Sequence, residues 1–184
     1  IHSCTFITYK NTILFMIFET ERLLVRKLVL DDLNAFHELE SNPLVLKYAT
    51  GEPKAFDKNE IELKMLISKY RELNNDFWIY AIERKSDNQF IGTLALVKDD
   101  FDDEIGYRFL EKYWGNGYGT EVFNGLIDYC KFIGVKKIIA CVAVENMASL
   151  KIIKKAGFKV SQPFLLLEYW LFVVVIQNVF IQQT

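Results

Sequence analysis

The stretch from Glu104 to Cys130, EIGYRFLEKYWGNGYGTEVFNGLIDYC, changes character twice. It opens with EIGYRFL (Glu104 to Leu110), rich in aromatic and branched side chains, which predicts a strand. Glycines then fall at alternate positions, Gly115, Gly117 and Gly119. An apolar period follows. Val122, Leu126 or Phe123, Ile127 and Cys130 predict the buried face of a helix ended by Gly134. A helix start carries unpartnered N–H donors and a positive dipole end. Glycines let a ligand approach that backbone with no Cβ in the way. The stretch therefore reads as a phosphate cradle in which Gly117, Tyr118, Gly119 and Thr120 donate N–H groups. Taken alone, the glycines suit a tight turn equally well. A P-loop would need GxxxxGK[ST], and the dinucleotide fingerprint needs GxGxxG in a parallel unit. Neither fits the GxGxG spacing found here.

Upstream, FWIYAIE (Phe77 to Glu83) and FIGTLALV (Phe90 to Val97) predict two more strands. Short polar links join all three into an antiparallel meander. Asp99, Asp100, Asp102 and Asp103 read as a solvated hairpin tip rather than a metal site, which would also attract a cationic substrate. Further back, RLLVRKLVL (Arg22 to Leu30) predicts the first strand. Asp31 or Asp32 then caps a helix with Leu33, Phe36 and Leu39 on one face. Pro43 ends it. Leu46 to Phe56 reads as loop. Asp57 caps a second helix, with Glu60 completing a capping box and Ile61, Met65, Ile67 or Ser68 and Leu73 on its apolar face. Downstream, KKIIACVAV (Lys136 to Val144) predicts a strand buried on both faces. ENMASLKIIKKAGF predicts a short helix with Gly157 just past its end. The final apolar segment supplies one long or two short strands. One mixed α/β layer (α+β) results, with a mostly antiparallel sheet and about four helices.

Hydrophobic residues make up 51% and charged residues 25% of 184, which fits one folded domain over residues 16–184. Residues 1–15 read as an N-terminal extension, with too short an apolar segment for a signal peptide. The net charge of -2 points away from nucleic acid. Cys4, Cys130 and Cys141 form no CxxC and no Cys/His cluster, so the reading is no metal, no disulfide scaffold and a cytoplasmic setting. Cys130 and Cys141 both read as buried and inert. His37 reads as a surface residue. Pro163 to Ile176, interrupted by Glu168, is shorter than the about 20 residues a membrane span needs. It reads as buried strand, so no membrane partner is expected; a partner copy covering it would make a homodimer rather than a monomer.

Three segments resemble the GNAT N-acetyltransferase superfamily, most of all the branch that acetylates ribosomal-protein N-termini. They are TERLLVRKL (Thr20 to Leu28), EIGYRFLEKYWGNGYGTE (Glu104 to Glu121) and VENMASLKIIKKAGF (Val144 to Phe158). They stand in the family's order over residues 16–160. The resemblance implies an enzyme that transfers an acetyl group from acetyl-CoA, as co-substrate, to a primary amine by direct attack in a ternary complex. It implies a sheet splayed between its fourth and fifth strands, with the pantetheine arm pairing with backbone around Phe109, Leu110 and Glu111. Trp114 stands where the family's loop usually has Gln or Arg. Gly115 and Asn116 belong to the same acetyl-CoA loop.

The resemblance also suggests roles near the reacting atoms. Glu104 is a candidate base, or else a solvated strand-end carboxylate. Ser149 is a candidate acid for the leaving thiolate, or else a small residue at a helix start. Asn146 contacts the acetyl-CoA arm, caps the helix, or both; Tyr118 contacts CoA or packs. The acceptor wall is implied to come from the first two helices, their loop and the last hairpin, whose residues name no ligand. A non-catalytic acyl-CoA sensor on the same fold is the alternative.

Overall fold

The computed structural model describes residues 16–49, 51–98, 103–158, 160, 163–166 and 169–177. Eight strands form one sheet: β1 (Met16–Glu19), β2 (Leu23–Lys27), β3 (Phe77–Arg84), β4 (Gln89–Lys98), β5 (Asp103–Phe109), β6 (Lys137–Ala143), β7 (Phe164–Leu166) and β8 (Tyr169–Gln177). Their order is β1-β2-β3-β4-β5-β6-β8-β7. Every pairing is antiparallel except β5 with β6. The helices are α1 (Leu33–Ser41), α2 (Pro43–Leu46), α3 (Phe56–Lys69), α4 (Tyr118–Phe132) and α5 (Met147–Lys155).

Strand alternation sends apolar side chains to both faces. Val25, Ile82, Ile91, Leu94 and Ile105 meet Val122, Phe123, Leu126 and Cys130 of α4 and Leu150 and Ile153 of α5. Leu28, Ala81, Phe90 and Leu110 meet Phe36 and Leu39 of α1 and Leu63 and Leu66 of α3. The sheet is thus the middle of three layers. The meander, the buried face of α4 and the tail hairpin follow the sequence reading, which left β1 unassigned.

Three local readings are corrected by packing. Asp32 stands at the N-cap of α1, but its side chain makes no cap hydrogen bond there. A 3₁₀ turn (Leu30–Asp32) precedes the helix, and the Asp32 carboxylate accepts from Val29 N–H at 2.9 Å and from both Nη atoms of Arg26. Arg26 also donates Nε–H to Glu83 at 2.6 Å. Asp57 does not cap α3 either, whose cap is Ala55, with Asp57 in its first turn. That turn is closed by Asn59, fully buried, whose Nδ2 contacts Lys54 O and His37 Nδ1. His37, expected at the surface, is half-buried there, edge-on to Phe56. Finally, α3 is rotated from the expected phase. Leu63 and Leu66 face the core and Ile67 packs partly against it, while Ile61 and Met65 are exposed, as is Leu73 beyond the helix end. In β6, Cys141 is exposed, not buried. Asp99, Asp100, Asp102 and residues 1–15 lie outside the described residues, and Asp103 begins β5.

The rotated phase is testable. Leu63→Ala leaves a cavity and should lower unfolding free energy by about 2–5 kcal/mol in urea titration. Ile61→Ala, on the outer face, should stay within about 0.5 kcal/mol of wild type.

Candidate active site

Two elements define the candidate site: a parted pair of strands and a helix start beside it. Among the described residues, β5 pairs with β6 only at Asp103↔Ile138 and Glu104↔Ile139. Beyond Glu104 both strands continue, β5 held by β4 and β6 by β8. Their inner edges face one another across a gap with Glu104 at its closed end. Leu110 N–H donates to Ile91 O at 2.9 Å. Peptide groups alternate in direction along an antiparallel strand. With Leu110 turned to β4, the peptide groups of Phe109 and Tyr107 turn to the gap. The Phe109 carbonyl accepts the indole Nε1–H of Trp114 at 2.8 Å. Leu110 itself is turned away, its carbonyl accepting from Tyr113 N–H at 2.9 Å and its side chain in the core.

The glycine loop leads from this edge into α4. Gly115 and Gly117 have φ of +76° and +80°, a left-handed region that favours glycine. Gly117 is the N-cap of α4. The first intrahelical bond runs from Glu121 N–H to Gly117 O at 3.2 Å. The N–H groups of Tyr118, Gly119 and Thr120 precede it and form the donor cluster of the helix start. Asn116 shapes the loop, its Nδ2 donating to the carbonyls of Tyr113 and Trp114 at 3.1 Å each. Gly119 is needed for close packing: a Cβ there would lie 2.9 Å from Ile152 Cδ1 and 3.4 Å from the Tyr107 ring. The Tyr118 side chain packs, buried beside Phe109 and under the Arg22 guanidinium, 4.6 Å from its ring centre.

Sequence reasoning missed the charges that hold this loop. Arg22 Nε donates to Glu121 Oε2 at 2.6 Å, and Arg22 N–H to Glu121 Oε1 at 2.7 Å. Thr20 Oγ1 donates to the same Oε1 at 2.6 Å, and Arg22 Nη1 to Asn116 O at 3.2 Å. Arg84 lies over the Tyr113 ring at 4.8 Å. Two guanidinium groups therefore flank the glycine loop. Both ends of the Arg22–Glu121 pair lie in segments that carry the family resemblance, but nothing in one sequence joins residues 99 apart.

Ser149 and Asn146 come from the start of α5, after β6. Asn146 Oδ1 accepts Ser149 N–H at 3.2 Å and so caps the helix. Opposite, β5 divides its side chains between two layers. Arg108 pairs with buried Glu40 of α1 at 2.7 Å, so alternation places Glu104 on the α1–α3 side. Tyr107 faces α4 and α5. On the α1 side, Asn42 Nδ2 donates to Glu111 at 3.0 Å and Lys112 pairs with Glu38 at 2.9 Å. Tyr48, in the loop between α2 and α3, donates to Glu145 O at 3.3 Å and bridges to the end of β6. Burial pushes the Cys130 thiol up to about 12, which leaves it inert. Among the described residues, no group of His, Cys, Asp and Glu could hold a metal ion, and no helix is long and apolar enough to cross a membrane.

Residues 22–159 match the family model of the acetyltransferase (GNAT) domain. The chain belongs to the GNAT acetyltransferase family. As a GNAT protein it is an acetyl-CoA-dependent acyltransferase. It is 30% identical over 151 residues to the uncharacterized N-acetyltransferase YoaA of Bacillus subtilis, covering 79% of this chain and 84% of that one. Its fold matches the RimL ribosomal L7/L12 α-N-protein acetyltransferase in complex with coenzyme A (TM-score 0.75, 16% identity, 89% of this chain and 98% of that one). It also matches the spermidine N-acetyltransferase of Vibrio cholerae in complex with CoA and spermine (TM-score 0.72, 21% identity, 85% of this chain and 96% of that one).

The Arg22–Glu121 pair makes a pH prediction. Burial pushes the Glu121 carboxyl up, but hydrogen bonds from Thr20 and Arg22, with the Arg22 charge, outweigh it and hold the group below its ordinary 4.5. Its contribution to stability is complete above 4.5 and is lost as pH falls through the lower folded value. Wild type should therefore lose stability more steeply than Glu121→Gln between about pH 5 and pH 3, read by thermal melts.

Proposed function

We propose that this chain is an N-acetyltransferase that moves the acetyl group of acetyl-CoA to a primary amine, on a protein N-terminus or a small molecule, by direct attack in a ternary complex. The observation that carries this reading is the gap between β5 and β6 opening beside a glycine-capped helix start. The helix start suits a pyrophosphate, through the N–H groups of Gly117, Tyr118, Gly119 and Thr120 and the helix dipole. The gap suits the amide-bearing pantetheine arm, which would add to the β5 edge like a strand at Phe109 and Tyr107. Trp114 fixes the Phe109 carbonyl and so joins edge to loop. Gly115 and Asn116 set the loop's shape, and Leu110 anchors its first turn to the core. Asn146, with one side-chain oxygen committed to the cap, retains an amide NH₂ for the arm.

The chemistry needs an unprotonated amine held against the thioester carbon. Proximity and orientation supply much of the acceleration. Backbone N–H groups on the β5 edge oppose the negative charge that develops on the carbonyl oxygen. Glu104, at the closed end of the gap, takes the amine proton directly or through water. Ser149 gives a proton to the departing sulfur. An α-amine, with a pKa of about 8, needs less help at neutral pH than a lysine-type amine at about 10.4. The RimL and spermidine enzymes act on a protein α-amine and on a polyamine, and both acceptor classes belong in the first screen.

Calorimetric titration of acetyl-CoA into wild type and Gly117→Glu tests the binding half. A side chain at φ +80° is strained, by about 1–2 kcal/mol, and the carboxylate repels phosphate. The repulsion should lower affinity by about tenfold or more, about 1.4 kcal/mol. Trp114→Phe should weaken binding by about fivefold, the worth of one net hydrogen bond. Binding of acetyl-CoA without transfer to any amine would favour an acyl-CoA-binding module instead. A folded wild-type chain that binds no acetyl-CoA would overturn the proposal.

A further inference from the structure

Two glycines stand inside described strands, Gly92 in β4 and Gly106 in β5. Gly92 has a packing reason: a Cβ there would stand 2.1 Å from the Arg108 carbonyl oxygen. Gly106 has none. A Cβ on Gly106 would meet no atom within 4 Å. Its φ lies outside the left-handed region, and its register against Ala95 of β4 is unbroken. Neither torsion nor a bulge therefore asks for glycine. Glycine inside a strand loses backbone entropy and offers no side chain to pack. With packing, torsion and bulge set aside, the remaining reason for it is close approach by a ligand.

Residues directly opposite in an antiparallel sheet share a face. Ile79, Ala95 and Gly106 therefore form one row across β3, β4 and β5, on the α1–α3 face with Glu104 and Arg108. The row on one side ends in Arg108, and its Ala81 and Thr93 are buried under the helices. The row on the other side ends in Glu104, and its Phe77 is exposed. Between them Ala95 and Gly106 are half-buried. The middle row shrinks toward the gap, from Ile79 to Ala95 to Gly106. It forms a trough one side chain deep, with an apolar floor, that opens into the gap beside Glu104. Its walls, four residues apart along β5, have backbones about 13 Å apart, which leaves room for one chain between their side chains. Across the three rows Glu104 is the one carboxylate. Arg108 is the one cation, and buried Glu40 of α1 already holds it at 2.7 Å.

We propose that this trough takes the stem of the acceptor and that Gly106 is the specificity-determining residue that admits it. The acceptor is a primary amine on an unbranched apolar stem. Its nitrogen lies at Glu104, and its stem runs over Gly106 and Ala95 toward Ile79. This rests on the reading of the chain as an N-acetyltransferase whose amine enters the gap. The floor suits methylene groups, which gain by leaving water. A second ammonium on the stem would lie beside Arg108, with no further carboxylate in the three rows to meet it. Like charge at close range therefore selects against polyamines.

The test titrates n-hexylamine, n-propylamine and spermidine calorimetrically into the chain saturated with CoA, in wild type, Gly106→Ala, Gly106→Val and Ala95→Leu. Acetyl-CoA affinity is measured beside it. Wild type should bind hexylamine about tenfold or more tightly than spermidine. Gly106→Val fills the inner end of the trough and should weaken hexylamine and propylamine alike, by about tenfold or more. Ala95→Leu fills the next row and should weaken hexylamine about tenfold more than propylamine, whose stem is too short to reach it. A merely structural role for these residues would not sort amines by length. Acetyl-CoA affinity should stay within about twofold of wild type throughout. Gly106→Ala places a methyl group in open space and should melt at or above the wild-type temperature while weakening both alkylamines. It serves as the second variant should Gly106→Val fail to fold.

Equal amine binding by wild type and Gly106→Val would overturn the proposal, as would an Ala95→Leu loss that ignores stem length or a preference for spermidine. Loss of acetyl-CoA affinity in a folded Gly106→Val chain would give the space to the acyl group and overturn it too. Binding of acetyl-CoA with no uptake of hexylamine would overturn the trough and leave the functional reading standing. A folded wild-type chain that binds no acetyl-CoA would overturn both.

Discussion

A parallel strand pair that lasts, among the described residues, for two positions governs the rest of this structure. β5 and β6 each have an outer partner to satisfy half their peptide groups, and the short contact at Asp103 and Glu104 fixes their closed end. Beyond it they separate, and the inner peptide groups of β5 face a space rather than a strand. An unpaired strand edge inside a folded domain is costly unless something pairs with it. Here part of the cost is met by Trp114, which donates to the Phe109 carbonyl. The remaining groups stay available to an extended, amide-rich partner. Both helix starts, of α4 and α5, arrive at the same opening, so backbone donors converge on it from two more directions.

Holding such a gap open requires that the elements on either side be fixed independently of each other. Charged and polar contacts supply much of that fixing. Arg26, with Asp32 and Glu83, locks the corner between β2, α1 and β3. Glu40 and Glu38 tie α1 to Arg108 and Lys112 around the end of β5. Arg22 and Thr20 hold Glu121 and with it the first turn of α4. Asp32, Glu83 and Glu40 are buried or half-buried carboxylates, where losing one partner costs more than forming the pair gains. Their value lies in geometry: they fix where the glycine loop and the gap edge sit relative to one another.

Much of the fold was legible because it depends on period and on glycine. The three-strand meander, the buried stripe Val122–Leu126–Cys130 and the Gly134 and Gly157 stops follow from alternation, helical spacing and left-handed backbone. The misses have one physical origin. Asp32 and Asp57 look like caps in a linear reading, because Asp often caps helices. In the fold, Arg26 claims Asp32, and buried Asn59 closes the turn where Asp57 was expected to act. The phase of α3 was misread because Leu63 and Leu66 compete with Ile61 and Met65 for the same face, and only the shape of the layer beneath decides between them.

For the candidate site the division is similar. The sequence by itself determined the family, the order of its elements and the glycine loop, since these rest on residue types at fixed spacing along the chain. Only the tertiary structure decided that Leu110 turns from the gap while Phe109 faces it, because that depends on the register of β5 against β4. It alone placed Glu104 on the α1–α3 side and Tyr107 on the other, against Gly119 and Ile152. It alone joined Arg22 to Glu121 and Trp114 to Phe109. Spacing along a chain specifies local conformation; which side chains share a hydrogen bond across 99 residues is set by packing, and packing is a property of the whole fold.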